Sequence, residues 1–175
     1  MNEYIDAIMS QLYTTDAQRA VLQRAKDTGS LPASEYEKAW SDFQVCFTGL
    51  GHDPIPLEDF NGIRSIPGFD AANLSSAEWD QYFKDLQTCQ KQIMPITSVY
   101  EQQQGNPGMH QTMEEAVLDC LKRAGKVGDD VTALDIAADK NSETPTHFDQ
   151  NDPVVRGCQV ANGWHGAGEL YKITR

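Results

Sequence analysis

The chain has 175 residues, 39% of them apolar, and this length suits a single domain over residues 1–175 with a buried core. Its 14 basic and 26 acidic residues give a net charge of −12, which repels nucleic acid and anionic lipid surfaces. No apolar run approaches the roughly 20 residues of a membrane-spanning helix, so no transmembrane segment is expected.

Apolar residues at helical spacing begin near the amino terminus. The first stripe consists of Ile5, Ile8, Met9, Leu12, Val21, Leu22 and Ala25. Thr15, followed three residues later by Gln18, forms a capping-box pattern that restarts the helix within this stripe. Ser34 with Glu37 repeats the pattern and predicts the start of the next helix, the clearest in the sequence. Its apolar face comprises Tyr36, Ala39, Trp40, Phe43, Cys46, Phe47 and Leu50.

Between Gly51 and Leu74 the pattern changes from helical to extended. Asn61-Gly62, flanked by apolar residues, is typical of a two-residue hairpin turn. Three prolines in this region restrict the strands to short edge segments. They are Pro54, Pro56 and Pro67. A small two-stranded β-hairpin is therefore predicted here.

A third helix is expected to start at Ser75, where Glu78 completes a capping box. Its apolar stripe consists of Trp79, Phe83, Leu86, Cys89 or Gln90, and Ile93. Pro95 is expected to break or kink this helix, and in the second case Ile96, Val99 and Tyr100 continue its apolar stripe. The polar residues 101–108 are interpreted as a linker. That linker divides the domain into two internal halves, residues 31–104 and 109–175.

Three further helix starts follow the linker, and they make the fold class mainly α with five or six helices. They are Thr112 with Glu115, Thr132 with Asp135, and Asp152 with Pro153. The last of these helices is expected to pass through Cys158 and to end near Gly163. Alternation from Glu169 to Thr174 favours a short terminal strand.

The four cysteines are distributed evenly between the two halves. Two predicted helices end with the same pattern, a cysteine and then a glycine five positions on, in the segments Cys46–Gly51 and Cys120–Gly125. Each half carries one further cysteine roughly 40 residues downstream. This distribution predicts one disulfide per half, Cys46 with Cys89 and Cys120 with Cys158, in two loosely repeated halves. The spacing is too wide for the usual Cys-x2-Cys pairs of a zinc site, so no metal is predicted.

The segment from Glu35 to Asp53 resembles a pattern of secreted proteins and lipoproteins of actinobacteria. The residues that carry the resemblance are Tyr36, Ala39, Phe43, Cys46 and Gly51. In that pattern a helix ends in Cys-x4-Gly and is followed by an extended ribbon and a second cysteine-bearing helix. The resemblance covers residues 31–100, with an echo over 113–158. It implies an extracytoplasmic protein with disulfides, and it carries no catalytic residues.

The first four residues bear on localisation. Met1-Asn2-Glu3-Tyr4 lacks the basic and then apolar character of a signal peptide. An extracytoplasmic protein would therefore be seen here as a mature region whose export signal has been removed. Taken literally, the same start favours a cytoplasmic protein, and this alternative stays open.

Trp164 and His165 are the candidate binding residues. They are flanked by glycines, and an exposed indole beside an imidazole can stack on a sugar or a peptide. The alternative is that Trp164 covers the core while the glycines turn the chain into the final strand.

Two patterns in the sequence are compatible with catalysis or metal binding, and each also has a structural interpretation. A thiol nucleophile, Cys46 or Cys158, activated by His52 or His165, competes with the ordinary state of a buried disulfide. Three oxygen-bearing residues imitate the first half of a calcium loop, namely Asp139, Asn141 and Glu143. Thr144 and Gln150 stand where such a loop needs glycine and glutamate, so a solvated loop is favoured.

The sequence therefore predicts a non-catalytic secreted or cell-envelope protein that binds a protein, a peptide or a glycan, without a cofactor. The competing class is a hydrolase, either thiol-dependent or with an acid and a base among its unmarked carboxylates. A third class is a cytoplasmic interaction protein with four free thiols.

Overall fold

The computed structural model describes residues 1–142, 144–165 and 171–173, and these residues form seven helices and two small sheets. The helices are α1 (Asn2–Met9), α2 (Asp16–Thr28), α3 (Ala33–Gly49), α4 (Ser76–Gly105), α5 (Met113–Arg123), α6 (Ala133–Lys140) and α7 (Pro153–Ala161). The strands are β1 (Glu58–Phe60), β2 (Ile63–Ser65), β3 (Phe69–Asp70) and β4 (Tyr171–Lys172). The mainly helical class is confirmed, with at least one helix more than the five or six predicted.

The chain folds as two compact units. The first contains residues 1–57 and 66–100 and the described residues 171–173. The second contains residues 58–65 and the described residues between 101 and 165. The hairpin β1–β2 thus groups with the helices of the second unit, although the sequence places it between α3 and α4.

Most of the predicted helix starts are confirmed by their hydrogen bonds. Reciprocal capping boxes join Thr15 with Gln18, Thr112 with Glu115, and Thr132 with Asp135. Asp152 caps α7, since its carboxylate accepts from the backbone N–H of Val154 at 2.8 Å. The box predicted at Ser34 is wrong. Because α3 begins directly after Pro32, Ser34 already lies within the first helical turn and cannot adopt the extended backbone of a cap.

Helix α4 does not end at Pro95 but continues through it to Gly105. Three apolar residues near the proline are buried, since Ile93, Ile96 and Val99 are exposed by only 4%, 6% and 1%. Their burial offsets the hydrogen bond that the proline removes. The predicted linker is consequently shorter than expected, because residues 101–105 are helical.

The core of the first unit lies between α2, α3 and α4. Its largest fully buried side chains include Leu22, Leu31, Tyr36, Phe43, Phe47 and Val99. The predicted disulfide Cys46–Cys89 is present and joins α3 to α4, with the two Cα atoms 5.7 Å apart. Leu12, Leu50 and Phe83 were expected on apolar faces but are exposed. Leu12 lies outside the core because α1 ends at Met9.

The core of the second unit forms around α5, α6 and α7. Its buried residues include Val117, Leu121, Ile136 and Val155. The second predicted disulfide, Cys120–Cys158, joins α5 to α7. The hairpin is also confirmed, since β1 and β2 pair antiparallel and Asn61 and Gly62 have φ values of 54° and 82°. Both central residues at positive φ define the type I′ turn that Asn-Gly favours.

The repeated Cys-x4-Gly pattern corresponds to a repeated helix ending. Gly51 and Gly125 both have positive φ, at 92° and 66°. Glycine adopts this conformation without the steric cost that a side chain would add. That the two halves are related stays a prediction. Among the described residues, no helix combines the length and the apolar character needed to cross a bilayer.

At Gly157 in α7 the hairpin closely approaches the helix. A Cβ at this position would lie 2.6 Å from the carbonyl oxygen of Phe60 in β1. The guanidinium of Arg156 lies over the Phe60 ring, 4.7 Å from its centroid. The hairpin therefore rests on α7 through a backbone contact that only glycine permits.

We expect Gly157→Ala to lower the free energy of unfolding by about 1 to 3 kcal/mol, because the added methyl group would collide with backbone rather than with a movable side chain. The matched control is Gly49→Ala in α3, where an added Cβ meets nothing within 4 Å. That substitution should raise stability by roughly 0.5 to 1 kcal/mol, as alanine usually does in a helix. Urea unfolding measures both variants. Equal effects of the two would contradict the close approach of α7 to β1.

Candidate functional site

Trp164 is buried, at 8% exposure, and packs edge-to-face on Phe148 with the ring centroids 6.0 Å apart. The turn at Gly163, with φ of 79°, brings the chain back over the end of α7, and the backbone N–H of Trp164 donates to the backbone carbonyl of Gln159 at 2.9 Å. The indole therefore covers the second core, as in the alternative interpretation of the sequence. His165 is exposed. Residues 166–168 lie outside the described residues, so a binding role for this segment stays a prediction.

The structure contains no free thiol that could act as a nucleophile. All four cysteines of the chain lie in the two disulfides. His52, which the sequence offered as a base for Cys46, instead lies beside Asp85, with Nε2 and Oδ2 3.0 Å apart.

Asp139 and Asn141, two of the residues that imitate a calcium loop, have structural roles. Asp139 is only 4% exposed, and its carboxylate accepts from the backbone N–H groups of Thr146 and His147 and lies 3.0 Å from Nδ1 of His147. Burial acts to raise the pKa of Asp139, but these hydrogen bonds outweigh it and the pKa is lowered. Asn141 is the C-cap residue of α6, and Glu143 lies outside the described residues. Within the part of the chain that the structure describes, no three His, Cys, Asp or Glu residues cluster as metal ligands.

A cavity of about 300 Å³ lies in the first unit, beside the amino-terminal turns of α4. Its other walls come from the segment after α3, from Leu74 in the loop between β3 and α4, and from Tyr171 in β4 with Ile173 just after it. The described residues that line it are Gly51, His52, Asp53, Leu74, Glu78, Gln81, Tyr82, Tyr171 and Ile173. Most of its wall surface is apolar, and side chains such as His52, Glu78 and Gln81 add polar groups, a combination that suits a small-ligand site.

His52 is held at the cavity on two sides. Its ring stacks on Phe47, with centroids 4.4 Å apart, because the left-handed turn at Gly51 folds the chain back over the end of α3. An ionised carboxylate only accepts hydrogen bonds, so Nε2 of His52 donates to Asp85. Gln81 donates to the other carboxylate oxygen at 2.8 Å.

The pKa of Asp85 is lowered, chiefly by the hydrogen bond from His52 and then by that from Gln81, against a smaller opposing effect of burial. Asp85 is therefore ionised at neutral pH. Its contribution to stability is present above the ordinary pKa of about 3.9 and is lost as the pH falls through the lowered value.

Tyr82 is 6% exposed, lines the cavity and belongs to an aromatic cluster. Its ring contacts Phe47 at 5.2 Å, Phe69 at 5.5 Å and Trp79 at 6.1 Å between centroids. Its hydroxyl is covered and has no hydrogen-bond partner among the described residues. Burial, with a smaller effect of Tyr171, raises the pKa of Tyr82 to about 12. An unpaired buried hydroxyl costs about 1 to 3 kcal/mol, so the fold alone gives no reason for tyrosine instead of phenylalanine here.

The charged side chains at the cavity are predominantly acidic. Asp53 and Glu78 line it, and the described lining residues include no lysine or arginine. Glu78 is fixed in position by the capping box of α4, since its carboxylate accepts from the backbone N–H of Ser75 at 2.8 Å and from its hydroxyl at 2.7 Å. The cavity therefore presents a carboxylate whose position does not depend on a ligand.

A second cavity, of about 380 Å³, lies between α2, α3 and α4. Several of its polar side chains bond to one another or to nearby backbone. Lys38 pairs with Asp42 at 2.6 Å, and Gln18 donates to the carbonyl of Gln92 at 2.6 Å. Such internally satisfied groups have less to offer a ligand than the unpaired hydroxyl at the first cavity.

Sequence reasoning did not single out Tyr82, because it placed Phe83 on the buried face of this helix. In the structure Phe83 is 43% exposed and Tyr82 is buried. The predicted disulfide could have shown that Tyr82, and not Phe83, lies on the buried face of the helix. Cys89 must face α3, and the residue two helical turns before it, on the same face, is Tyr82.

We expect Tyr82→Phe to leave the free energy of unfolding unchanged or to raise it by about 1 kcal/mol, because it removes a buried hydroxyl without a partner and keeps the ring. It should also remove a tyrosine that ionises near pH 12, which ultraviolet absorbance titration detects. Thermal unfolding without ligand measures the stability. A loss of more than about 1 kcal/mol would show that the hydroxyl is satisfied in solution.

Comparison with protein-family models, with curated proteins and with solved structures gives no match to this chain. The resemblance to secreted actinobacterial proteins therefore stays a prediction.

Proposed function

We propose that this protein is a secreted or cell-envelope binding module and that its ligand site is the cavity lined by His52, Glu78 and Tyr82. The observation that carries the proposal is the unpaired hydroxyl of Tyr82 at an apolar cavity with a fixed carboxylate on its wall. A group bound here would contact the Tyr82 ring, and a small shift of the lining side chains would give it access to the hydroxyl.

The size of the cavity limits what it holds. A volume of about 300 Å³ is at the lower end of ligand-binding pockets. It suits a small molecule, or one side chain or terminal group of a larger partner. A peptide, a protein or a glycan would accordingly insert only one group here and make its other contacts elsewhere on the surface.

The disulfides support an extracytoplasmic location. Disulfides persist in oxidising compartments and are rare where glutathione and thioredoxin keep thiols reduced. Both bridges join helices within a core, and Cys89 and Cys158 are 0% and 4% exposed. Such buried bridges stabilise the fold, by about 3 to 4 kcal/mol each in the chain-entropy account. The actinobacterial origin rests on the sequence resemblance alone.

Ligand binding is tested by two-dimensional amide NMR with a panel of neutral, cationic and anionic small organic compounds. At least one compound should shift the amides of Gly51, His52, Gln81 and Tyr82. Gln81→Trp should abolish these shifts, because a large side chain at this exposed lining position fills the cavity. The matched control is Gln87→Trp, which lies on the same helix, is exposed and does not line the cavity.

Shifts that survive Gln81→Trp, or a panel that leaves these amides unchanged, would contradict the proposed site. Thermal unfolding of both tryptophan variants shows whether either has lost its fold.

The second candidate is a hydrolase, favoured by the His52–Asp85 pair. In this mechanism Asp85 orients the imidazole, and Nδ1 of His52 takes a proton from a water molecule that attacks the carbonyl carbon of a bound ester. The bond from that carbon to the alcohol oxygen then breaks, and the imidazolium returns the proton to the departing alkoxide. The expected result is hydrolysis of 4-nitrophenyl acetate faster than by free imidazole, abolished by His52→Gln.

The control for this activity is His110→Gln, because His110 also lies beside an aspartate, with Nε2 3.8 Å from Asp119 Oδ1, but belongs to the second unit. Equal rates for the unaltered protein, for both variants and for free imidazole would exclude this candidate.

A further inference from the structure

We infer that the cavity takes an uncharged polar group that accepts one hydrogen bond and donates another, as a carboxamide or a hydroxyl does. The inference rests on the proposed function and specifies the chemistry of its ligand. The ligand is taken to be a free small molecule, because the cavity volume of about 300 Å³ can enclose one.

The hydroxyl of Tyr82 supplies the hydrogen-bond donor. It is buried and has no hydrogen-bond partner among the described residues. Burial and, to a smaller extent, Tyr171 raise the pKa of Tyr82 to about 12, so the hydroxyl keeps its proton at neutral pH. The effect of Tyr171 requires the two phenols to lie close together, and Tyr171 lines the same cavity. A ligand atom that accepts from Tyr82 would supply the partner that its hydroxyl lacks.

Nδ1 of His52 supplies the hydrogen-bond acceptor. Because Nε2 donates to the ionised Asp85, the proton of the neutral ring lies on Nε2, and Nδ1 has a lone pair. Nδ1 has no hydrogen-bond partner in the part of the chain that the structure describes. His52 lines the cavity, and its ring centroid lies 5.0 Å from that of Tyr82. One small ligand can therefore reach both groups.

The walls favour an uncharged ligand. Most of their surface is apolar, and the described lining residues include no lysine or arginine. An ion would lose its hydration here, and an anion would gain no basic side chain in return. Asp53 and Glu78 also line the cavity, but both have interactions within the fold, so neither is a free charge that selects a cation. A neutral group that accepts and donates satisfies Tyr82 and His52 together and avoids the cost of burying a charge.

The experiment compares small compounds that share a tert-butyl frame. Pivalamide and neopentyl alcohol both accept and donate a hydrogen bond, and the tighter of these two identifies the ligand as an amide or an alcohol. Pinacolone only accepts, pivalate is an anion, and pivalamidinium is a cation. Dissociation constants are measured by amide NMR titration at pH 8, where a histidine ring is ordinarily uncharged.

The tighter of the two donor–acceptor compounds should bind about three- to tenfold more tightly than pinacolone, which is the effect of one additional hydrogen bond. It should bind at least about tenfold more tightly than either ion, because an ion must give up its hydration to enter an apolar cavity.

Two variants assign the hydrogen bonds to the protein groups. Tyr82→Phe removes the donor and keeps the ring, and it should weaken the donor–acceptor compound and pinacolone alike, by about three- to tenfold. His52→Phe removes the acceptor but keeps an aromatic ring, and it should lower the affinity of the donor–acceptor compound to that of pinacolone.

The matched control is Tyr100→Phe. Tyr100 is half-buried on the same helix as Tyr82, stacks on Tyr36 and does not line the cavity. This substitution should leave all affinities within about twofold. Thermal unfolding of the three variants shows whether each keeps its fold.

The remaining outcomes separate the two proposals. The assignment would be overturned, with the cavity intact as a binding site, if pinacolone or an ion bound as tightly as the donor–acceptor compounds. An affinity that Tyr82→Phe leaves unchanged, or a difference from pinacolone that survives His52→Phe, would overturn it as well. If no compound of this series or of the panel shifts the cavity amides, the inference and the proposed function are both wrong.

Discussion

The Cys46–Cys89 disulfide fixes the carboxyl end of α3 against the middle of α4, and the candidate site depends on this constraint. Phe47 follows Cys46 and is fully buried, and the chain then turns back at Gly51 so that His52 stacks on the Phe47 ring. Two helical turns before Cys89, the same face of α4 presents Tyr82. One covalent bond thus sets which turn of α4 faces the residues that follow α3, and so it brings His52 within 5.0 Å of the Tyr82 ring.

The polar groups of the first unit divide into those the fold satisfies and those it does not. Glu78 completes a cap, and Asp85 accepts from two side chains, so both have a structural role besides any contact with a ligand. The Nε1 atom of Trp40 and the hydroxyl of Tyr82 are buried without a partner among the described residues. Trp40 lies in the core between Tyr36 and Phe43, where its large apolar area offsets the cost. Tyr82 differs from Trp40 because it borders a cavity, so a bound ligand can supply the hydrogen bond that its buried hydroxyl lacks.

The second unit combines a buried core with local capping and close backbone contact. Its helices α5, α6 and α7 each begin at a cap formed by a side chain. Asp139 ties the loop after α6 back to that helix through backbone N–H groups, and its lowered pKa keeps the carboxylate ionised for this role. The hairpin rests on α7 at Gly157, where an added methyl group would not fit. Trp164 then closes the core beside Phe148.

The sequence by itself determined most of the helix starts, the hairpin turn and the cysteine pairing. A cap such as Thr112 with Glu115 and a turn such as Asn61-Gly62 are made by residues within four positions of each other, so their chemistry can be read locally. Only the tertiary structure decided that α4 continues through Pro95, that Tyr82 and not Phe83 faces inward, that Trp164 is buried and that the hairpin belongs with α7. Each of these depends on contacts between residues far apart in the chain. Burial of side chains such as Ile93 and Val99 outweighs the local preference for a helix to end at proline, and this free energy does not exist until the partners have packed.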